Sequence, residues 1–215
     1  MWCVGELDED YIERMEDILS LYEKDYNSGE PVVCLDEKPV QLLEDLREAK
    51  QSAKSIKKRD HQYRRKGTAN VFCGVEPLQG RYYNYVTENK KSPEFAKVLN
   101  RLAALYSNAR TIHLVMDNYS THTQKALTDF YGSVKGAELW KRFTVHYTPK
   151  NASWLDQAEI AIGLYTKQCL GKERIGEINT LRQRTRAWNK AINKKQLKIQ
   201  WGFTVDRARE LFKYG

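Results

Sequence analysis

The chain has 215 residues, 41% of them hydrophobic and 30% charged, and a net charge of +8. That length suits one large domain, or a domain with appendages, able to bury a core without disulfides. Its four cysteines, Cys3, Cys34, Cys73 and Cys169, are scattered without C-x-x-C spacing, which argues against a zinc site, and no apolar run reaches the ~18 residues of a membrane span. With no signal peptide in view, a reducing cytoplasmic setting is expected.

The charge is uneven. Residues 1–50 carry 15 acids and 5 bases, whereas residues 51–215 carry 13 acids and 31 bases. The bases gather in two stretches. One, residues 50–66, holds Lys54, Lys57, Lys58, Arg59, Arg64 and Arg65. The other is the tail, with Arg174, Arg182, Arg184, Arg186, Lys190, Lys194, Lys195 and Lys198. One such run is an ordinary solvated face; two suit a polyanion.

Residues 7–25 read as an acidic amphipathic helix, with Tyr11, Met15, Ile18, Leu19 and Tyr22 on one stripe. Asn27-Ser28-Gly29 ends it, and Pro31 to Val40 reads as a buried strand. Residues 41–66 read as a polar loop with a short helical piece. Asn70 to Val75 and Tyr82 to Thr87 read as two strands about a turn at Gln79-Gly80. Ser92-Pro93-Glu94 opens a helix, capped by Ser92, whose apolar face is Phe95, Val98, Leu99, Leu102 and Leu105. A strand over Thr111 to Met116, a helix over Thr123 to Tyr131 stopped by Gly132, and a strand over Phe143 to Tyr147 follow. Ser153 is expected to cap a helix running to about Leu170, with Gly171 as its stop. A basic helix over 177–192 and a last short helix from about Val205 complete the chain.

Three acids stand out in this layout. Asp36 in PVVCLDEKPV and Asp117 in TIHLVMDNYSTH each follow an apolar run, and Glu159 in YTPKNASWLDQAEI lies just inside a helix. Three carboxylates from separate elements suit hard divalent cations, which prefer oxygen ligands. Two such ions can clamp both sides of a phosphodiester displacement. The order of elements, three strands and then strands alternating with helices, is that of the ribonuclease-H-like α/β fold: a mixed five-stranded sheet flanked by helices. In it the first and fourth strands are neighbours, which sets Asp36 beside Asp117.

The motifs CLDEKPVQ, VMDNYSTHT and HYTPKNASWLDQAEIAI, with TKQCL downstream, together with the tail RAWNKAINKKQLKIQWGFTVDRAR, resemble the IS630 group of the IS630/Tc1/mariner superfamily of DDE transposases. The resemblance covers nearly the whole chain. It implies an enzyme that cuts DNA at element ends and joins the freed 3′-hydroxyl to target DNA, using two Mg²⁺ or Mn²⁺ ions held by Asp36, Asp117 and Glu159. It also implies transposon-end and target DNA as partners, a homodimer in the active complex, and a place on the nucleoid of a prokaryotic cell. Members carry an N-terminal helix-turn-helix region, but only 35 residues precede Asp36, so that region is expected to be missing here. The expected layout is a helix and linker over 1–30, a catalytic domain over 31–171 and a basic tail over 172–215. A nuclease of the same fold that hydrolyses without joining, and an inactive or domesticated remnant that binds DNA, are the alternatives.

Each site residue has an ordinary reading as well. Asp36 is either a ligand or the partner of Lys38 or a basic loop residue, while Glu37 points to the opposite sheet face. Asp117 is either a ligand or a turn and cap residue. His122 contacts phosphate or a metal-bound water, or is a structural histidine near a helix start; Asn118 lies close by. Asp156, where the family motif has Asn, sits three residues after Ser153 in a capping-box pattern. It is therefore read as a cap or supporting residue, with Glu159 as the third ligand. Lys57, Lys58, Arg59, Arg64, Arg65, Lys150, Arg182 and Arg186 are the DNA-contact candidates. Trp154 is read as a packing residue.

Overall fold

A computed structural model describes residues 7–46 and 61–214. Lys50, Lys54, Lys57, Lys58, Arg59 and Cys3 lie outside these described residues.

The strands β1 (Val32–Asp45), β2 (Tyr63–Glu76), β3 (Arg81–Thr87), β4 (Ile112–Met116) and β5 (Phe143–Tyr147) form one sheet in the order β3-β2-β1-β4-β5. The first three are antiparallel, and β4 and β5 run parallel to β1. The expected neighbourhood of the first and fourth strands is therefore present. Side chains alternate across β1. Cys34, Val40 and Leu42 pack into the layer on one face, whereas Val33 and Leu35 pack into the layer on the other.

The first layer holds helix α1 (Glu9–Tyr22), α5 (Ala158–Tyr165), α6 (Ile178–Asn193) and α7 (Val205–Phe212). Tyr11, Met15, Ile18 and Leu19 of α1 are buried in it as the stripe predicts. Asp17 of α1 also reaches the sheet, its Oδ2 lying 2.6 Å from His146 Nδ1 on β5. The second layer holds α2 (Ser92–Leu105), α3 (Gln124–Tyr131) and α4 (Ser133–Trp140). Burying a large aliphatic or aromatic side chain contributes about 1.5–3 kcal/mol. Leu35, Phe72, Phe95, Leu99 and Leu102, all under 2% exposed, anchor this layer.

Four expectations need correction. The stretch 41–66 is not a loop throughout: β1 runs on to Asp45 and β2 starts at Tyr63, paired down to Asp45↔Tyr63 with a bulge between Leu42 and Leu43. These arms are polar because Tyr63 to Lys66 are solvated, so they lack the apolar run that marks a strand. Lys91, not Ser92, occupies the N-cap of α2, and no side chain caps it. Leu105, at the end of that helix, is 54% exposed rather than part of its apolar face. Helix α4 was not anticipated; it carries Gly136, a poor helix former, in its interior. That glycine lets the α3–α4 pair close up, since a Cβ there would lie 2.5 Å from Thr128 Cα.

Candidate active site

Pairing between β1 and β4 ends at Cys34↔Val115. Asp36 and Asp117 each lie two residues beyond that pair, level with each other where the two strands part. After β5 the chain makes a 3₁₀ turn over Ser153–Leu155, extends at Asp156 (φ −84°, ψ 109°) and enters α5 at Ala158. No single helix runs from Ser153 to Leu170: a turn precedes α5, and a π-helical turn over Thr166–Leu170 follows it. Ser153 caps nothing. Instead Asp156 Oδ1 accepts the Ala158 N–H at 2.8 Å, the job the sequence reading gave to a pair of residues.

Asp36, Asp117, Asp156 and Glu159 line one cleft of about 660 Å³, with Lys150 and Asn118 beside them. Asp10 and Arg14 of α1 contribute to the same wall. Among the described residues, no three His, Cys, Asp or Glu side chains converge closely enough to hold one ion as they stand. The acids share a cleft rather than a point. Asp117 turns one oxygen to His122 Nδ1 at 2.6 Å, and Glu159 stays exposed.

The four acids do not share one electrostatic environment. Asp36 is half-buried, and burial pushes its carboxyl up to about 6. The Glu37 N–H, 2.6 Å away, opposes that rise, while the charges of Glu37, Glu159 and Asp117 add to it. No described Lys or Arg forms an ion pair with Asp36, so the alternative of a bridge to Lys38 is not seen among the described residues. Asp156 is 4% exposed, and burial, reinforced by Asp36, holds its carboxyl well above the usual range. Burial acts on Asp117 too, but there the His122 hydrogen bond and charge, the Tyr119 N–H and Lys90 prevail and lower it.

His122 is 2% exposed and sits behind Asp117, not in the cleft. Its Nε2 lies 2.7 Å from Glu37 Oε1, and its ring stacks on Phe95 with centroids 4.7 Å apart. Burial favours the neutral ring, but the hydrogen bonds and charges of Asp117 and Glu37 outweigh it and hold the imidazolium up to about 10. Glu37 faces the opposite side of the sheet from Asp36, as alternation predicts, with its side chain 5% exposed. Its partnership with His122 was missed. The available signal was a buried-strand acid with no local partner, and a histidine in the Asp117 loop.

The other candidates are placed as follows. Arg64 and Arg65 lie on the solvated arm of β2, Arg64 within 3.6 Å of Glu44. Arg182 and Arg186 lie on α6 and line a different groove. Trp154 packs edge-on against Phe203 and beside Phe212, as a packing residue does.

A family model described as DDE superfamily endonuclease matches residues 31–182. The chain belongs to that family. Among solved structures it is similar to the Mos1 transposase paired-end complex with left transposon end, at 15% identity and a TM-score of 0.58, covering 92% of this chain and 61% of that one. It is also similar to a pre-cleavage Mos1 transpososome, at 14% identity and a TM-score of 0.59, covering 98% and 64%. The Mos1 mariner paired-end complex with Mn matches at 16% identity and a TM-score of 0.58, covering 92% and 61%. These matches establish the ribonuclease-H-like fold. The chain spans about 61–64% of the length of these structures. No curated protein matches it in sequence.

Proposed function

We propose that this chain carries the catalytic site of a transposase that cuts DNA and joins the freed 3′ end to target DNA with two divalent cations. One observation carries the reading: Asp36, Asp117 and Glu159 reach a single cleft from β1, the end of β4 and the start of α5. The donor set fits Mg²⁺ or Mn²⁺, because it offers hard carboxylate oxygens and neither thiolate nor imidazole among the cleft residues. Asp36, Asp117 and Glu159 would hold the ions. When bound, such a pair of ions activates water or a 3′-hydroxyl and stabilises the leaving oxygen.

The chain's own groups do the positioning. His122, fixed by Glu37 and by stacking on Phe95, orients the Asp117 carboxylate. Asp156 holds the first N–H of α5 and so sets the start of the helix that presents Glu159. Lys150 at the cleft is placed to neutralise a backbone phosphate. Residues 31–171 act as the catalytic unit, with segments 1–30 and 172–215 added to it. The matching Mos1 structures are paired-end and strand-transfer complexes. By that likeness DNA is the partner, and two copies of this chain hold two DNA ends. No described helix is long and apolar enough to cross a membrane.

The test is a Mn²⁺ and Mg²⁺ titration by calorimetry and thermal shift, comparing the wild type with Asp117→Asn. Saturable binding that raises the melting temperature, and is lost in the variant, is expected. A wild type that binds neither ion, even with DNA present, would mean that these acids are not a working site.

A further inference from the structure

Among the described residues, a second concavity exceeds the acidic cleft in volume. It is a groove of about 830 Å³ along the free edge of β3, walled by α2 on one side and α6 on the other. It shares no lining residue with the acidic cleft. Sheet edges left open invite unwanted pairing, and natural proteins cover them. Helix α6 does so with asparagines one turn apart. Asn193 exchanges two hydrogen bonds with the Tyr82 backbone, at 2.7 and 3.0 Å, and Asn189 donates to the Asn84 carbonyl at 3.0 Å. Beyond Asn189 the cover ends and the groove opens.

Two features of the groove remain unexplained by folding alone. The Asn84 side chain is 3% exposed, yet neither of its polar atoms has a partner, and Asn189 Oδ1 has none either. A buried amide without partners costs about 1–3 kcal/mol. The walls also carry cations. Arg101 of α2 and Arg186 of α6 form no ion pair with any described carboxylate, and Arg101 instead lies over the Tyr85 ring, 5.3 Å from its centroid. The groove's acids are engaged: Glu94 with Lys97 at 2.7 Å, and Glu88 with Arg182 at 3.8 Å. The groove thus offers the guanidinium groups of Arg101 and Arg186 from its two walls, over a floor whose amide is unsatisfied.

We propose that this groove is a second DNA-backbone site, separate from the acidic cleft. Guanidinium and amide N–H groups are the donors that proteins aim at phosphate oxygens. Asn84, Cys73 and Asp36 sit on one rung of the sheet, two strand spacings apart, so the groove floor lies about 10 Å across the sheet from Asp36. That is less than the width of a duplex, so one DNA molecule can engage both places. The sequence reading named Arg182 and Arg186 as DNA contacts from charge alone. Arg101 is new, and with Arg186 on the opposite wall it turns a basic helix face into a two-walled site. The ligand class rests on the reading of this chain as a DNA-cutting enzyme; the groove itself does not.

The test is duplex binding by fluorescence anisotropy without divalent metal, across a salt series. The Arg101→Ala/Arg186→Ala double variant is compared with Arg207→Ala, a cation that does not line the groove. The arginines tested are exposed, so unchanged melting is expected and checked. The groove pair should weaken binding on the order of tenfold at 0.1 M salt and lower the salt slope by about 1 for each arginine. Arg207→Ala should leave the slope alone. A double variant with the wild-type slope, or an Arg207→Ala that loses as much binding as the groove pair, overturns the proposal. Groove binding that persists in a chain showing no metal-dependent cleavage would instead count against the catalytic reading and leave this one standing.

Discussion

Asp36 and Glu37 are adjacent carboxylates on one strand, and the two faces of the sheet treat them in opposite ways. The Glu37 side chain is 5% exposed and paired with His122 at 2.7 Å. Asp36 faces the cleft with other acids around it, and burial pushes it up to about 6. A buried charge is tolerated when it is paired and is costly when it is not. The first face spends its carboxylate on structure. The second leaves its carboxylate in need of a positive partner, which is how a site for a cation differs from a salt bridge in a core.

Breaking each half of this comparison should give different kinds of damage. Asp36→Asn should reduce metal-dependent DNA cleavage by at least about 10²–10³-fold, the scale set by losing one electrostatic stabiliser. Its melting temperature in metal-free buffer should not fall, since a carboxylate disfavoured by burial has been removed. A variant that cleaves normally, measured with end-labelled duplex and Mn²⁺, would break the comparison at once. His122→Ala should do the reverse, stranding Glu37 under the sheet. Removing one partner of a buried pair costs about 3–5 kcal/mol. In a chain of this size that is a fall on the order of 10 °C.

The His122 pair also has a sign in pH. Its folded value, about 10, lies above the ordinary 6.5. Its contribution is therefore complete below about pH 6.5 and is lost as pH rises through about 10. The melting difference between wild type and His122→Ala should shrink steadily between pH 7 and pH 10.5. A difference that stays constant over that range would mean that the imidazole is not held as a cation.

Much of this was legible in the sequence, and the gaps have physical causes. Strands β4 and β5 and the start of β1 announce themselves as apolar runs, and Asp36 and Asp117 stand out because acids interrupt those runs. The arm of β2 is solvated, so no periodicity marks it. The contact between Glu37 and His122 joins residues 85 positions apart, and no local pattern encodes it. The groove at β3 is assembled from three elements, so its free arginines look like ordinary charges on two helices.

The smallest effect concerns Asp156, which the sequence presents as a helix cap three residues after a serine. The structure keeps the capping role, through the Ala158 N–H, but moves it to Asp156 itself and buries the side chain at 4% exposure. Burial, with Asp36 beside it, raises its carboxyl, so the folded state holds its proton to higher pH than the unfolded chain does. Stability contributed at this position therefore falls as pH rises above the ordinary carboxylate range. A protonated aspartic acid has the shape and charge of asparagine, the residue expected here in the family motif. Asp156→Asn keeps an oxygen for the Ala158 N–H and removes the protonation cost. It should raise the melting temperature slightly at pH 7–8, have little effect at pH 4, and leave metal-dependent cleavage within a few-fold of wild type. Loss of cleavage in Asp156→Asn, with Glu159→Gln still active, would move the third ligand from Glu159 to Asp156.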